Sequence, residues 1–314
     1  MNTQHYQLRL EGLDEAKGQI KAYDLHKVLG ALLRTAERCT RLLATGEGSV
    51  QGTRPAWLEA SIDFTITGMK KGSTILDIDA PLLLVTAHDQ FAQSEFWRES
   101  PEAGDTALDL AALAIEEAKS DGDTSDRFDS SVLEAVLEFK KAVRSARVRY
   151  EFKSTSNARG TFQLSESSFE RIAERKRQLP EPKAFIVSGN LDEIKHSAGR
   201  FRLFLLNGQK LLGRVHPEFL DGESLRHLWG KAVTVEGMVH FKANGQARLI
   251  DARKLSLKAD GDEIFEALPM VSNPHAQSDL FPDTALASKL NDPMILWGAW
   301  PGDEPLEELM AQLS

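Results

Sequence analysis

Glu59-Ala-Ser-Ile-Asp-Phe-Thr-Ile-Thr-Gly-Met-Lys-Lys-Gly-Ser-Thr-Ile-Leu-Asp-Ile-Asp-Ala80 decides the class of the first half of the chain. Apolar and polar side chains alternate through 59–67 and again through 73–80, around Gly68-Met-Lys-Lys-Gly72, which is the pattern of a β-hairpin. Pairing Thr67 with Ser73 sets Phe64 against Leu76 and Ile62 against Ile78 on the apolar side. The same register puts Asp63 opposite Asp77, with Asp79 on the diagonal. Opposed like charges destabilise a hairpin, so this register requires a cation or basic neighbours beside it.

Upstream, Tyr6 to Glu11 alternates as a half-buried strand. Asp24 is placed as an N-cap, and after it Leu25, Leu29, Leu32, Ala36, Cys39 and Leu43 recur at helical spacing. Cys39 then fills the core; as the single cysteine it forms no internal disulfide and no cysteine zinc site. Downstream, Thr106–Lys119 and Ser131–Arg144 open with capping-box spacing, Thr106 to Asp109 and Ser131 to Glu134, and Ser167 with Glu170 starts another helix. Arg147 to Lys153 alternates with its basic side chains outward, and Phe162 and Leu164 complete a second hairpin after the polar loop 154–160. Residues 1–179 are therefore expected to form an α+β domain, an antiparallel sheet with helices on one face and a polar face left open.

Pro180 and Pro182 end the last of these helices. Strand patterns follow at 184–192, 200–206, 210–216, 232–241 and 246–257, with a helix-like stretch Glu218–Trp229 before the fourth. Asn207-Gly208 and Asn244-Gly245 read as type I′ hairpin turns. With Gly230-Lys-Ala-Val-Thr-Val-Glu-Gly237 and Leu249-Ile-Asp-Ala252, this order over 184–258 resembles the OB-fold, a small five-stranded barrel. The resemblance implies a ligand face flanked by the loops between strands 1 and 2 and strands 4 and 5. Both are basic here, with Lys195 and Arg200 at the first, Lys242 and Arg248 at the second, and Arg202, Lys210 and Arg214 between. Such a surface would bind nucleic acid in a salt-dependent way. Phe241 is placed opposite Arg248 as a base-stacking pair, with the barrel interior as the alternative location for Phe201, Phe204 and Phe241.

Residues 259–314 read as an extended acidic arm containing six of the 12 prolines. Leu306, Leu309, Met310 and Leu313 describe a short amphipathic helix beside Trp297 and Trp300, a partner-binding set. Asp292-Pro-Met-Ile-Leu-Trp-Gly-Ala-Trp-Pro-Gly-Asp-Glu is similar to the tails of small bacterial antitoxins and defence-associated proteins. That implies a protein partner for this arm.

The formal charge of −9 is unevenly spread: +2 over residues 1–75, −13 over 76–138, +12 over 139–258 and −10 over 259–314. Screening over about 8 to 10 Å lets the basic block attract polyanions within an acidic molecule. The alternative is that the blocks neutralise one another in the fold. No apolar run approaches the roughly 20 residues of a membrane helix and no signal peptide opens the chain, so a cytoplasmic protein without membrane contact is expected.

One catalytic pattern stands beside these. Glu151-x-Lys153 with Asp63, Asp77 and Asp79 resembles the carboxylate-plus-lysine arrangement of a large nuclease superfamily, which implies Mg²⁺ held by the acids and Lys153 steadying developing charge. Cross-strand salt bridges account for the same residues. The expectation taken forward is a non-catalytic bacterial regulatory or defence-associated binding protein without a cofactor. The alternatives are a Mg²⁺-dependent nuclease and a purely protein-binding adaptor or antitoxin.

Overall fold

The first core is a five-stranded antiparallel sheet in the order β2-β3-β1-β4-β5, with helices against one face. The structure is a computed structural model that describes residues 3–14, 18–50, 52–70, 74–91, 101–120, 125–145, 147–155, 159–195, 199–206, 208–215 and 227–271, without the side chains of 193–195. β1 (Thr3–Glu11) is central, between β3 (Thr74–Pro81) and β4 (Arg149–Ser154); β2 (Thr65–Lys70) and β5 (Phe162–Leu164) are the edges. Tyr6, Leu8 and Leu10 of β1 are buried while His5, Gln7 and Arg9 are not, which is the alternation the sequence required. Across the inner face the rings of Tyr6, Phe152 and Phe162 stack in a row at 5.1 and 5.0 Å.

Above this face lie α1 (Ala22–Thr45), α5 (Ala107–Lys119), α6 (Ser130–Ala142) and α7 (Glu166–Gln178). The short helix α2 (Ala56–Ile62) lies between α1 and β2, and α3 (Leu83–Thr86) and α4 (His88–Phe91) lie between β3 and α5. α5 keeps its capping box, Thr106 with Asp109. Cys39 is buried on α1 and burial pushes its thiol well above the usual range, as a core residue requires. Asp105, buried just before α5, has its carboxyl pushed up to about 6 by burial and by the charge of Asp109, partly offset by Arg127.

Several local expectations are corrected. Residues 59–62 belong to α2, because Leu58, Ser61 and Ile62 also satisfy the i, i+3, i+4 spacing of a helix that starts after Pro55. The hairpin therefore begins at Thr65, and its register pairs Ile66 with Ile78 and, after an irregularity, Gly68 with Asp77. Asp63 caps the end of α2 and does not face Asp77. α1 starts two residues before Asp24, with Lys21 at its N-cap, and α6 is capped by Asp129, whose carboxylate accepts from the Val132 amide, rather than by Ser131.

The second core is a closed barrel of β6 (Lys183–Lys195), β7 (Arg200–Phe204), β8 (Lys210–Val215), β9 (Ala232–Phe241) and β10 (Ala247–Leu257). β6 pairs with β9 through its first half and with β7 through its second, with a bulge at Leu191/Glu193. β8 and β10 close the barrel as its one parallel pair. Phe201 points inward over Gly213, where a Cβ would lie 2.0 Å from the ring, so the filling of the barrel depends on that glycine. The Lys242–Gly245 turn carries positive φ at Gly245 alone (φ 80°), so it is not the expected type I′ turn, which needs two. A 3-10 turn at Asp262–Phe265 lies beside β6, and Pro269–Val271 then runs back along Gly245–Ala247.

Buried apolar residues fall into two separate clusters, one per core, and among the described residues no helix or strand of the first packs closely along a barrel strand. Residues 1–271 form one compact unit. Trp297, Trp300, Leu306, Leu309, Met310 and Leu313, and the expected helix from Glu218 as far as residue 226, lie outside the described residues.

Candidate functional site

The outer surface of β7 and β8 brings together the basic residues that the barrel pattern singled out. Phe201 and Leu203 face the interior, so Arg200, Arg202 and Phe204 stand outward; on β8 the outward set is Lys210, Leu212 and Arg214. The register sets Arg200 against Arg214 and Phe204 against Lys210. The Lys210 ammonium lies 5.1 Å from the centroid of the Phe204 ring and the Arg202 guanidinium 6.0 Å from it. A half-exposed ring between two cations offers a π-face to a base and positive charge to the flanking phosphates. Leu206, at the adjoining hairpin tip, is 78% exposed. Trp229, 66% exposed, donates its indole N–H to the Asp192 carbonyl on β6 at 2.7 Å, which anchors a second ring on the strand next to β7.

The sequence left Phe204 between the barrel interior and the ligand face, favouring the interior, and put Trp229 at a helix end. The signal for Phe204 was available: in Phe201-Arg-Leu-Phe204 a period of two cannot send both phenylalanines inward. The pairing of Phe241 with Arg248 fails. Phe241 lies opposite Ala247 and is buried in the barrel, edge-on to Phe185 at 5.8 Å. Lys195 pairs with Arg200 through the backbone.

Arg214, His240, Lys242 and Arg248 face the first core. Glu47, in the loop after α1, meets three barrel strands. Arg214 Nη2 lies 2.8 Å from Glu47 Oε2 and 2.8 Å from Asp251 Oδ1, while His240 Nε2 lies 3.1 Å from Glu47 Oε1 and 2.9 Å from Asp251 Oδ2. Burial alone would lower the His240 imidazole, but its bonds to Asp251 and Glu47 carry it up to about 9. Asp251 is held well below the usual carboxylate range against its own burial, first by His240. The four groups thus form a quartet of two cations and two anions. Beside it Lys242 pairs with Asp126 at 2.9 Å, and Arg248 reaches the Phe128 carbonyl at 3.3 Å and Asp129 at 3.8 Å. The two acidic loops are themselves joined, since the Gly48 amide donates to Asp129 at 2.8 Å.

The carboxylates and lysine of the nuclease pattern are not brought together. Asp77 and Asp79 lie on β3 and Glu151 and Lys153 on β4, on opposite sides of β1 and so about 9 to 10 Å apart by strand spacing. Each is engaged locally: Asp77 accepts from Gln7 at 2.8 Å and lies 3.4 Å from Lys70, Asp79 lies 2.5 Å from His5, and Glu151 lies 2.5 Å from Lys153 and 3.7 Å from Arg9. Lys153 holds the Glu151 carboxyl below its usual range. A cleft of about 960 Å³ at the end of this face mixes Arg9, Lys119, Arg147 and Arg149 with Glu11, Glu151 and Glu166.

Among the described residues, Glu47, His240 and Asp251 are the set whose ligand atoms converge as a metal centre would need, all within 4.8 Å. A divalent cation there would have to displace the His240 proton and sit beside the Arg214 guanidinium. Among the described residues no helix is long and apolar enough to cross a membrane. Searches of protein-family models, curated proteins and solved structures find no match to this chain.

Proposed function

We propose that this chain is a non-catalytic binding protein whose barrel, an OB-like module, holds single-stranded nucleic acid across the outer face of β7 and β8. The observation that carries this reading is Phe204 standing outward with Lys210 and Arg202 over its ring. Stacking on such a ring tolerates any base, and the cations supply a salt-dependent share of the affinity. In the OB-fold the second and third strands form the ligand face, which here are β7 and β8. The tail from residue 272 serves as an arm for a protein partner in a bacterial regulatory or defence-associated setting.

Fluorescence anisotropy with a labelled oligothymidylate of ~15 nucleotides tests the reading. Wild type is expected to bind with an affinity that falls as salt rises. Phe204→Ala should weaken binding roughly tenfold to hundredfold, the range expected when one base loses a stacking platform worth about 1–3 kcal/mol. Lys210→Ala should lower the salt slope by about 0.7. Binding that is present but indifferent to both substitutions would leave the protein-binding adaptor as the better account.

A further inference from the structure

The cations that the first core covers are of the same kind as those on the outer face of β7 and β8, and they continue the same outer surface. Arg214 on β8 stands next to Arg200 on β7, and Lys242 and Arg248 flank the turn joining β9 to β10. From this we infer that Arg214, His240, Lys242 and Arg248 are the covered half of the nucleic-acid site, with Glu47, Asp126 and Asp129 occupying the positions of phosphates. The inference rests on the reading above and adds its regulation: the nucleic-acid strand and the first core compete for the same cations.

Three observations support the competition. First, the bonds between the barrel cations and the first core are of the type a phosphate makes, guanidinium, ammonium or imidazolium against an oxyanion, plus one carbonyl. Second, among the described residues no apolar cluster spans the two cores, so opening exposes little of their hydrophobic surface, and polar interfaces of this kind permit relative motion. Third, the docking is incompletely satisfied. The Arg248 side chain is only 8% exposed, its Nε has no hydrogen-bond partner among the described residues, and its carboxylate lies at 3.8 Å. A buried guanidinium so held retains much of its desolvation cost, which a closer oxyanion would offset.

The experiment uses the full chain and the same oligothymidylate, comparing wild type with Asp126→Asn, Glu47→Gln and, as a control of equal charge change on the open sheet face, Glu151→Gln. Asp126 is more than a third exposed, so its variant keeps the test interpretable if loss of Glu47 impairs folding. Asp126→Asn and Glu47→Gln should each tighten binding three- to tenfold at low salt and steepen the dependence of log K on log salt by about 0.7 for each additional phosphate neutralised, while Glu151→Gln changes neither. Wild-type binding that needs Phe204 but is matched by all three variants overturns the inference and leaves the binding reading standing. Variants that bind where wild type does not support both, and no binding by any of the proteins overturns both.

Discussion

The open face of the sheet and the outer face of the barrel both carry many charges and treat them differently. On the sheet, each acid meets its partner on the same or an adjacent strand: Asp79 with His5, Asp77 with Gln7 and Lys70, Glu151 with Arg9 and Lys153. On the barrel, the partners of Arg214, Lys242 and Arg248 include carboxylates more than a hundred residues away, and Lys210 and Arg202 lie against the Phe204 ring. Neutralisation built into a strand register persists as long as the sheet does. Neutralisation supplied by a separate core would be withdrawn if the two cores parted, as the competition inferred above requires.

Breaking the quartet should show the largest effect. Glu47→Ala leaves Arg214 and His240 half-buried against a single carboxylate, and urea unfolding should register a loss of about 3 kcal/mol or more. His240 sharpens the point through pH. Its pKa is raised in the folded state from 6.5 to about 9, so its contribution is complete below about pH 6.5 and is lost as pH rises through 9. Thermal unfolding should show on the order of 2–3 kcal/mol lost across that window, and His240→Gln should flatten the profile. Asp105 has the opposite sign. A carboxyl pushed up to about 6 costs stability above that pH and the cost is relieved as pH falls towards 3.8, so Asp105→Asn should stabilise by roughly 1–2 kcal/mol at pH 7.5 and by little at pH 4. The smallest effect belongs to the open sheet face. Lys153→Ala removes an exposed ion pair and should cost under about 1 kcal/mol in chemical denaturation, with oligonucleotide affinity unchanged.

Much of this architecture was legible because it follows from period. The five barrel strands fall within a few residues of their alternating runs, and the buried Tyr6, Leu8 and Leu10 follow directly from theirs. The errors came where two periods fit the same residues, as at 59–62, or where several polar residues competed to cap a helix, as Asp129 did with Ser131. The site was half legible. Its cations were identifiable by type, but which of them the protein itself would occupy depends on Glu47 and Asp126, whose place beside the barrel is set by packing between distant segments. Phe204 was favoured as barrel filling although alternation alone turned it outward.

The two cores follow one another along the chain without interleaving, the first complete by Ile172 and the second beginning at Val187. Units arranged in this way fold in the order of their synthesis. On that order Glu47, Asp126 and Asp129 would be in place before Arg214 is synthesised, and the barrel would form beside an acidic surface already built. A barrel expressed alone would have to close its β8–β10 seam with Asp251, without Glu47, to balance both Arg214 and His240.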